Sequence, residues 1–260
     1  PLIGNTPIVV RNLKRPRQLF MLLDILKIPH PEVSFKPLKF DSKTSAAGWL
    51  YKQGGGSGGT HVRKALPLPG IAPEVGHYFQ REVPGVPISL LFVADSRQVQ
   101  AIGFNRQWLS PTLAVPYRYG GAVSQADLPD EIKQQLMYAA QQSTNAVGLR
   151  GLNSLDAIMN EGQIWVLELN PRLSATFDLY QTDHCNLFEL HLQACAGDSS
   201  DWPKLLMQLP QRAKAHHIVY ASHDLVMSDN INWPEWAADL PITGSHIVAG
   251  NPVCTMLAEG

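Results

Sequence analysis

At 260 residues, 45% of them hydrophobic and 17% charged, the chain can form one large domain or two lobes with buried cores, and it is too long for a disulfide-stapled miniprotein. Glycine and proline, 20 of each, stay well below the level that signals disorder. Lys plus Arg number 21 and Asp plus Glu 22, a formal charge of -1, so no bulk field recruits nucleic acid or an anionic membrane. Cys185, Cys195 and Cys254, an odd number with no CxxC pair, make neither a disulfide framework nor a zinc site and lead us to expect a reducing cytoplasm. The longest apolar run, Ile88 to Ala94 with Ser89 inside it, is far short of the roughly 20 residues that cross a bilayer. The chain opens on PLIGNTPIVV without a Met, and we expect an N-terminal piece to precede it.

The first predicted element is a helix from Pro16, with Leu19, Phe20, Leu22, Leu23 and Leu26 along one stripe. Pro29 and Pro31 end it, and Glu32 to Phe35 read as a short extended segment. Residues Lys36 to Ala47 read as loop. GWLYKQ, GGGSGG and THVRKA then have the form of strand, glycine turn, strand. HYFQREVPG, ISLLFVAD and QVQAIGF, separated by turn residues, are expected as neighbouring antiparallel strands. Pro129 opens a second helix through DEIKQQLMYAAQQS. Two strands, about Leu152 to Met159 and Gln163 to Leu169, flank the turn NEG, and a third helix over NLFELHLQACAG ends at Gly197. From Ala213 the tail reads as short strands of a small β appendage joined by Pro/Trp/Asp-rich loops.

Two constellations carry chemistry. Lys52 precedes Gly54, Gly55, Gly56, Ser57, Gly58, Gly59, Thr60 and His61; consecutive glycines let backbone N-H groups converge on an anion, and the lysine adds a point charge for phosphate oxygens. The same GGGSGG is also the composition of a plain linker, and the GK[ST] ending of a P-loop is absent. In LDAIMNEGQIWVLELNPR, Glu168 and Asn170 are two apart on a strand and share a face, with Asp156 on the preceding strand across the turn. These hard oxygen ligands suit Mg²⁺ shared with substrate phosphates and do not suit zinc. Hairpin register is not readable here, and a slip of one residue separates Asp156 from Glu168. Arg172 adds a fork donor close by, able to hold phosphoryl oxygens or an oxyanion.

At these residues the sequence resembles the ATP-grasp superfamily. VLELNPR is similar to the family's E-x-N-P-R metal and phosphate motif, and Asp156 precedes it at the spacing of the earlier metal ligand in biotin-carboxylase-like members. WLYKQGGGSGGTHV resembles the lysine strand and glycine loop that close over the triphosphate. YFQREVPG resembles the interlobe hinge, whose backbone binds adenine, at Gln80, Arg81, Glu82 and Val83.

The resemblance implies an α+β ATP-grasp fold: two α+β lobes gripping ATP, with a small C-terminal β appendage. It implies residues 1–45 as the end of a preceding α/β domain plus a linking helix, with PLIGNTP as that domain's last strand and exit loop. Residues 46–83 follow as the N-lobe, 84–210 as the C-lobe with the metal site, and 211–260 as the appendage. Lys52 would contact the ATP phosphates, residues 55–61 and 80–83 the nucleotide, and Asp156, Glu168 and Asn170 one or two Mg²⁺, with Mn²⁺ able to substitute. Lys52 and Arg172 would act in catalysis. The family's first ATP-binding lysine has no clear counterpart; Lys14, Arg15 and Arg17 lie at or near its place.

The implied reaction activates a carboxylate as an acylphosphate for attack by an amine, glutamate among the candidate amino acids. Two alternatives are a biotin-carboxylase-like carboxylase using bicarbonate and a nucleotide-binding protein without turnover. The expected partners are small-molecule carboxylate and amine substrates, with no nucleic acid and no membrane; a homodimer is compatible with the reading. LRGLNSLDAI and the K-x-x-G-G-S-G-G-x-H spacing resemble the carboligases beside methanopterin-linked one-carbon pathways. Outside these motifs, His216 and His217 are strand neighbours that point to opposite faces and cannot share one metal.

Overall fold

A computed structural model describes residues 3–38, 48–65 and 72–260. Most of the loop expected over Lys36 to Ala47 lies outside them. The first element of the described residues is helix α1 (Pro7–Lys14); of the strand and exit loop expected over PLIGNTP, the first two residues lie outside the described ones and residues 3–6 hold no strand. The β-branched run Ile8–Val10 suggests a strand, but Thr6 caps the helix by accepting from Val9 N-H, and Pro7 presets its first turn. Helix α2 (Pro16–Ile25) follows after one residue and buries Leu19, Phe20 and Leu23, three of the five residues of the predicted stripe.

A small antiparallel sheet comes next, built from β1 (Val33–Ser34), β2 (Trp49–Gln53), β3 (Val62–Lys64) and β4 (His77–Arg81) in the order β1-β4-β2-β3. Trp49 and Tyr51 pack here against Leu38, Ala65 and Phe79. The sequence reading placed His77–Arg81 beside the strands that follow it. It belongs instead to this sheet, because the Pro84–Gly85 break carries the chain across to a second sheet.

That second sheet holds β5 (Val86–Asp95), β6 (Val99–Leu109), β7 (Tyr119–Val123), then, after helix α3 (Asp130–Val147), β8 (Arg150–Asn160) and β9 (Gln163–Asn170). A 3₁₀ turn (Ala175–Leu179), α4 (Leu187–Ala196) and α5 (Trp202–Leu206) cover one face. The C-terminal strands β10 (Lys214–Tyr220), β12 (Ala237–Ala238) and β14 (Pro252–Glu259) are built onto the sheet itself, in the order β12-β14-β10-β7-β6-β5-β8-β9. Only β11 (Leu225–Val226) and β13 (His246–Ile247) form a separate ribbon.

Strand β7, YGGAV, is not legible in the sequence, since glycine pairs weaken a strand. Packing explains it: a Cβ on Gly121 would lie 2.1 Å from His216 O and 2.5 Å from the Trp108 ring. The two strand neighbours of β7 therefore close over bare backbone.

The large sheet separates two cores. Leu90, Leu155, Ile164, Val166 and Leu169 face α2 and α3 on one side. Leu91, Val93 and Leu152 face Tyr180, Leu187 and Leu190 on the other. Each wholly buried leucine contributes about 1.5–3 kcal/mol, so both faces hold the strands that carry the site. The three cysteines are free, and among the described residues no helix is long and apolar enough to cross a membrane.

Candidate functional site

Strict alternation along β9 would send Glu168 and Asn170 into the same core as Ile164 and Val166. A bulge prevents this. The hairpin pairs Asn160 with Gln163 and continues regularly to Ala157 with Val166, after which the register shifts and Asp156 faces Glu168. Leu167 is the extra residue, so Val166 and Leu169, three apart, enter one core while Glu168 and Asn170 turn to the other face. Asp156, between the core residues Leu155 and Ala157, points the same way.

The three oxygen-bearing side chains therefore converge. Asn170 Nδ2 donates to Asp156 Oδ2 at 2.8 Å, and Gln107 Nε2 on β6 donates to Asp156 Oδ1 at 3.1 Å. Burial, reinforced by the Glu168 charge, pushes the Asp156 carboxyl up to about 6, against the pull of Gln107, Lys14 and Arg172. Lys14, the last residue of α1, donates to both Glu168 Oε1 and Asn170 Oδ1. A cation thus already lies between two of these oxygens.

Lys52 reaches the same cleft from β2. It is buried, and its Nζ donates to Gln80 Oε1 at 2.9 Å. Burial lowers its pKa to about 8, opposed by the Glu168 and Asp156 charges. Two buried polar atoms beside it, Gln80 Nε2 and His61 Nδ1, have no hydrogen-bond partner within the protein. Burial and the Lys52 charge also lower the His61 pKa. Lys14, Lys52, Gly54, Gly55, Gly56, His61, Tyr78 and Glu168 line one cleft under the glycine loop, with Leu13, Leu19 and Phe20 as its apolar wall.

Other expected site residues lie differently. Arg172 is exposed, and its Nη1 donates to Leu173 O at 2.6 Å, so the guanidinium acts on the cluster only through its charge. The hinge stretch is partly committed inside the protein: Arg81 N-H donates to Glu32 O at 2.8 Å and Glu82 N-H to Gly48 O at 2.7 Å. Arg81 also stacks over Trp49, while the Gln80 side chain serves Lys52. Val83 lies outside the cleft lining, as do Ser57, Gly58, Gly59 and Thr60 at the outer part of the loop. Of the three basic residues near the start of α2, Lys14 enters the cluster, whereas Arg17 lies over the Phe35 ring at 4.4 Å. Gln107 was not expected, because only the pairing of β6 through β5 to β8 brings it onto the face of Asp156.

The donor set fits a hard divalent ion shared with a ligand. Among the described residues no cluster of three or more His, Cys, Asp or Glu side chains forms, so two carboxylates and an amide oxygen leave coordination to be completed by something else. Mg²⁺ sites that borrow phosphate oxygens have this composition. His61, which lines the cleft, has an unpaired Nδ1 that likewise calls for a hydrogen-bond partner there.

A glycine-rich loop over a buried lysine, facing a carboxylate–amide cluster across two sheets, defines a two-lobed cleft suited to a polyanion. The ATP-grasp domain matches the chain over residues 18–176, and the chain belongs to that family. Solved structures share the fold at low identity. The L-amino acid ligase from Bacillus licheniformis has a TM-score of 0.72 at 11% identity, over 96% of this chain and 68% of that one. An ATP-grasp superfamily protein from Archaeoglobus fulgidus gives 0.61 at 17%, over 99% and 67%. The biotin carboxylase domain of the Hydrogenobacter thermophilus 2-oxoglutarate carboxylase, solved as a dimer with MgADP, ADP and bicarbonate, gives 0.71 at 12%, over 99% and 64%. The chain thus spans about two thirds of the length of these relatives.

Proposed function

We propose that the chain is the ATP-binding and metal-binding part of an ATP-dependent ligase that activates a carboxylate for attack by an amine. The observation that carries this reading is the convergence of Asp156, Glu168 and Asn170 on one face of the bulged hairpin, across the cleft from buried Lys52. In this reading Asp156, Glu168 and Asn170 hold Mg²⁺, which when bound supplies charge neutralisation between the triphosphate and the attacking carboxylate. Lys52 and the N-H groups of the inner glycine loop bind phosphate oxygens, and His61 Nδ1 gains a partner there. Gln107 orients Asp156. Arg172, close enough to lower the Asp156 pKa, swings from the Leu173 carbonyl to steady the developing oxyanion. The glycine loop excludes water from the activated carboxyl group, which would otherwise hydrolyse. The lobe over residues 46–83 then acts as the cover and residues 84–210 as the metal-bearing base.

The test is a calorimetric titration of ATP with and without Mg²⁺, followed by ADP release in the presence of candidate acceptors. Micromolar, Mg²⁺-linked binding with ADP release that depends on a carboxylate and an amine is the expected result. ADP release that depends on bicarbonate would make the protein a carboxylase. Binding without release under any acceptor would support a nucleotide-binding role, and no binding at all would overturn the nucleotide reading. The narrower placement beside methanopterin-linked one-carbon metabolism rests on the K-x-x-G-G-S-G-G-x-H spacing; it predicts a pterin-containing acceptor and fails if simple amino acids suffice.

A further inference from the structure

The connection between β6 and β7 touches the small lobe at two separate points. At the glycine loop, Gly58 O accepts from Tyr119 N-H at 2.9 Å. Gly59 adopts φ +70°, and a Cβ there would lie 1.8 Å from Tyr117 O, so the main chain of the connection lies flush against the loop. Beyond β4, Tyr117 O-H donates to Glu82 Oε1 at 2.6 Å. One residue, Tyr117, therefore meets the loop tip with its carbonyl and the crossing between the sheets with its hydroxyl.

The connection is itself fixed to the large lobe. Arg118 is buried and donates to Ser110 O at 2.8 Å, Ser110 Oγ at 3.3 Å and Gly250 O at 3.1 Å, with its guanidinium 3.7 Å from the centre of the Tyr220 ring. Thr112 Oγ1 accepts from Val115 N-H at 3.0 Å and closes the turn between them. A loop rich in glycine has much conformational entropy to lose on ordering, so a docked tip requires a rigid counterpart of this kind.

We propose that residues 110–118 form a strap that holds the glycine loop docked on the large lobe, with Tyr117 as its positioning residue. The docking stands without any nucleotide; its consequence, slower nucleotide release, rests on the function proposed above. The Tyr117–Glu82 hydrogen bond, made to a carboxylate, is of the strong class and ties loop closure to the crossing between lobes. Burial and the Glu82 carboxylate push the phenol well above its usual range, so it remains a donor at any working pH.

The N-H of Tyr119 is a direct reporter, because its acceptor belongs to the glycine loop. Hydrogen exchange on the unliganded chain should show this amide protected, and Tyr117→Phe should speed its exchange about tenfold while α3 amides keep their rates. Glu82→Ala should have the same effect, and the double variant no larger one, since both remove one bond. An unprotected Tyr119 amide in the parent chain, unchanged exchange in Tyr117→Phe, or additive effects of the two substitutions would overturn the strap. With a fluorescent ATP analogue, Tyr117→Phe should raise the dissociation rate about tenfold and leave association within about twofold. If the analogue fails to bind the parent chain, the nucleotide reading falls, while the exchange result still decides the strap.

Discussion

Glu168→Gln is expected to lower Mg²⁺-dependent ADP formation by at least about 100-fold and to abolish the Mg²⁺-linked part of ATP binding. The substitution keeps the shape of the side chain, so the Leu167 bulge, the burial of Leu169 and the pairing with Asp156 should persist. It removes the charge that two carboxylates and an amide oxygen need to hold a hard cation. Its effect on stability should be small. The Lys14–Glu168 pair is partly exposed, 24% and 36% by side chain, and pairs of that kind contribute about 0–1 kcal/mol. A coupled ADP assay, the calorimetric titration and a thermal melt on the same preparation check the three statements. Full turnover in this variant would remove Glu168 from the metal site.

Lys52→Met should weaken ATP binding about 10- to 100-fold, the scale of one or two charge-assisted hydrogen bonds lost from phosphate. Unchanged affinity would count against contact between Lys52 and the triphosphate. The same variant has a pH signature independent of nucleotide. In the folded protein the Lys52 pKa is lowered to about 8 from 10.5, with burial as the principal cause. Between those values the unfolded chain holds a proton that the folded chain has released, so stability contributed by Lys52 rises with pH. Below about 8 the folded protein carries the full cost of the buried ammonium; above 10.5 the dependence ends. Unfolding by urea at pH 8 and pH 10 should show parent stability rising relative to Lys52→Met. Comparing the two proteins across pH cancels the constant cost of leaving Gln80 Oε1 without its partner. A gap that does not move with pH would show that Lys52 is solvated in the folded chain.

Much of this architecture was legible from local signals. The apolar stripe after Pro16, the helix behind Pro129 and the Gly197 stop are short-range features, and each forms where sequence spacing puts it. The helix Pro7–Lys14 was not legible, because its β-branched residues argue for a strand and only the Thr6 cap and Pro7 argue otherwise. Strand β7 was hidden by two glycines whose role is to let Trp108 and His216 approach.

For the site, the sequence by itself determined the chemistry: a lysine before a glycine loop, and Asp156, Glu168 and Asn170 flanking a tight turn, are side chains whose donor and acceptor properties do not depend on the fold. Tertiary structure decided which of them meet. The bulge at Leu167 reverses the phase of β9 and turns Glu168 and Asn170 out of the core; alternation alone would bury them. The pairing of β6 through β5 to β8 brings Gln107 to Asp156, and the turn of α1 aims Lys14 at Glu168. A one-residue register shift moves every following side chain to the opposite face, and what fixes that shift is how well Leu169 fills the core on the far side of the sheet.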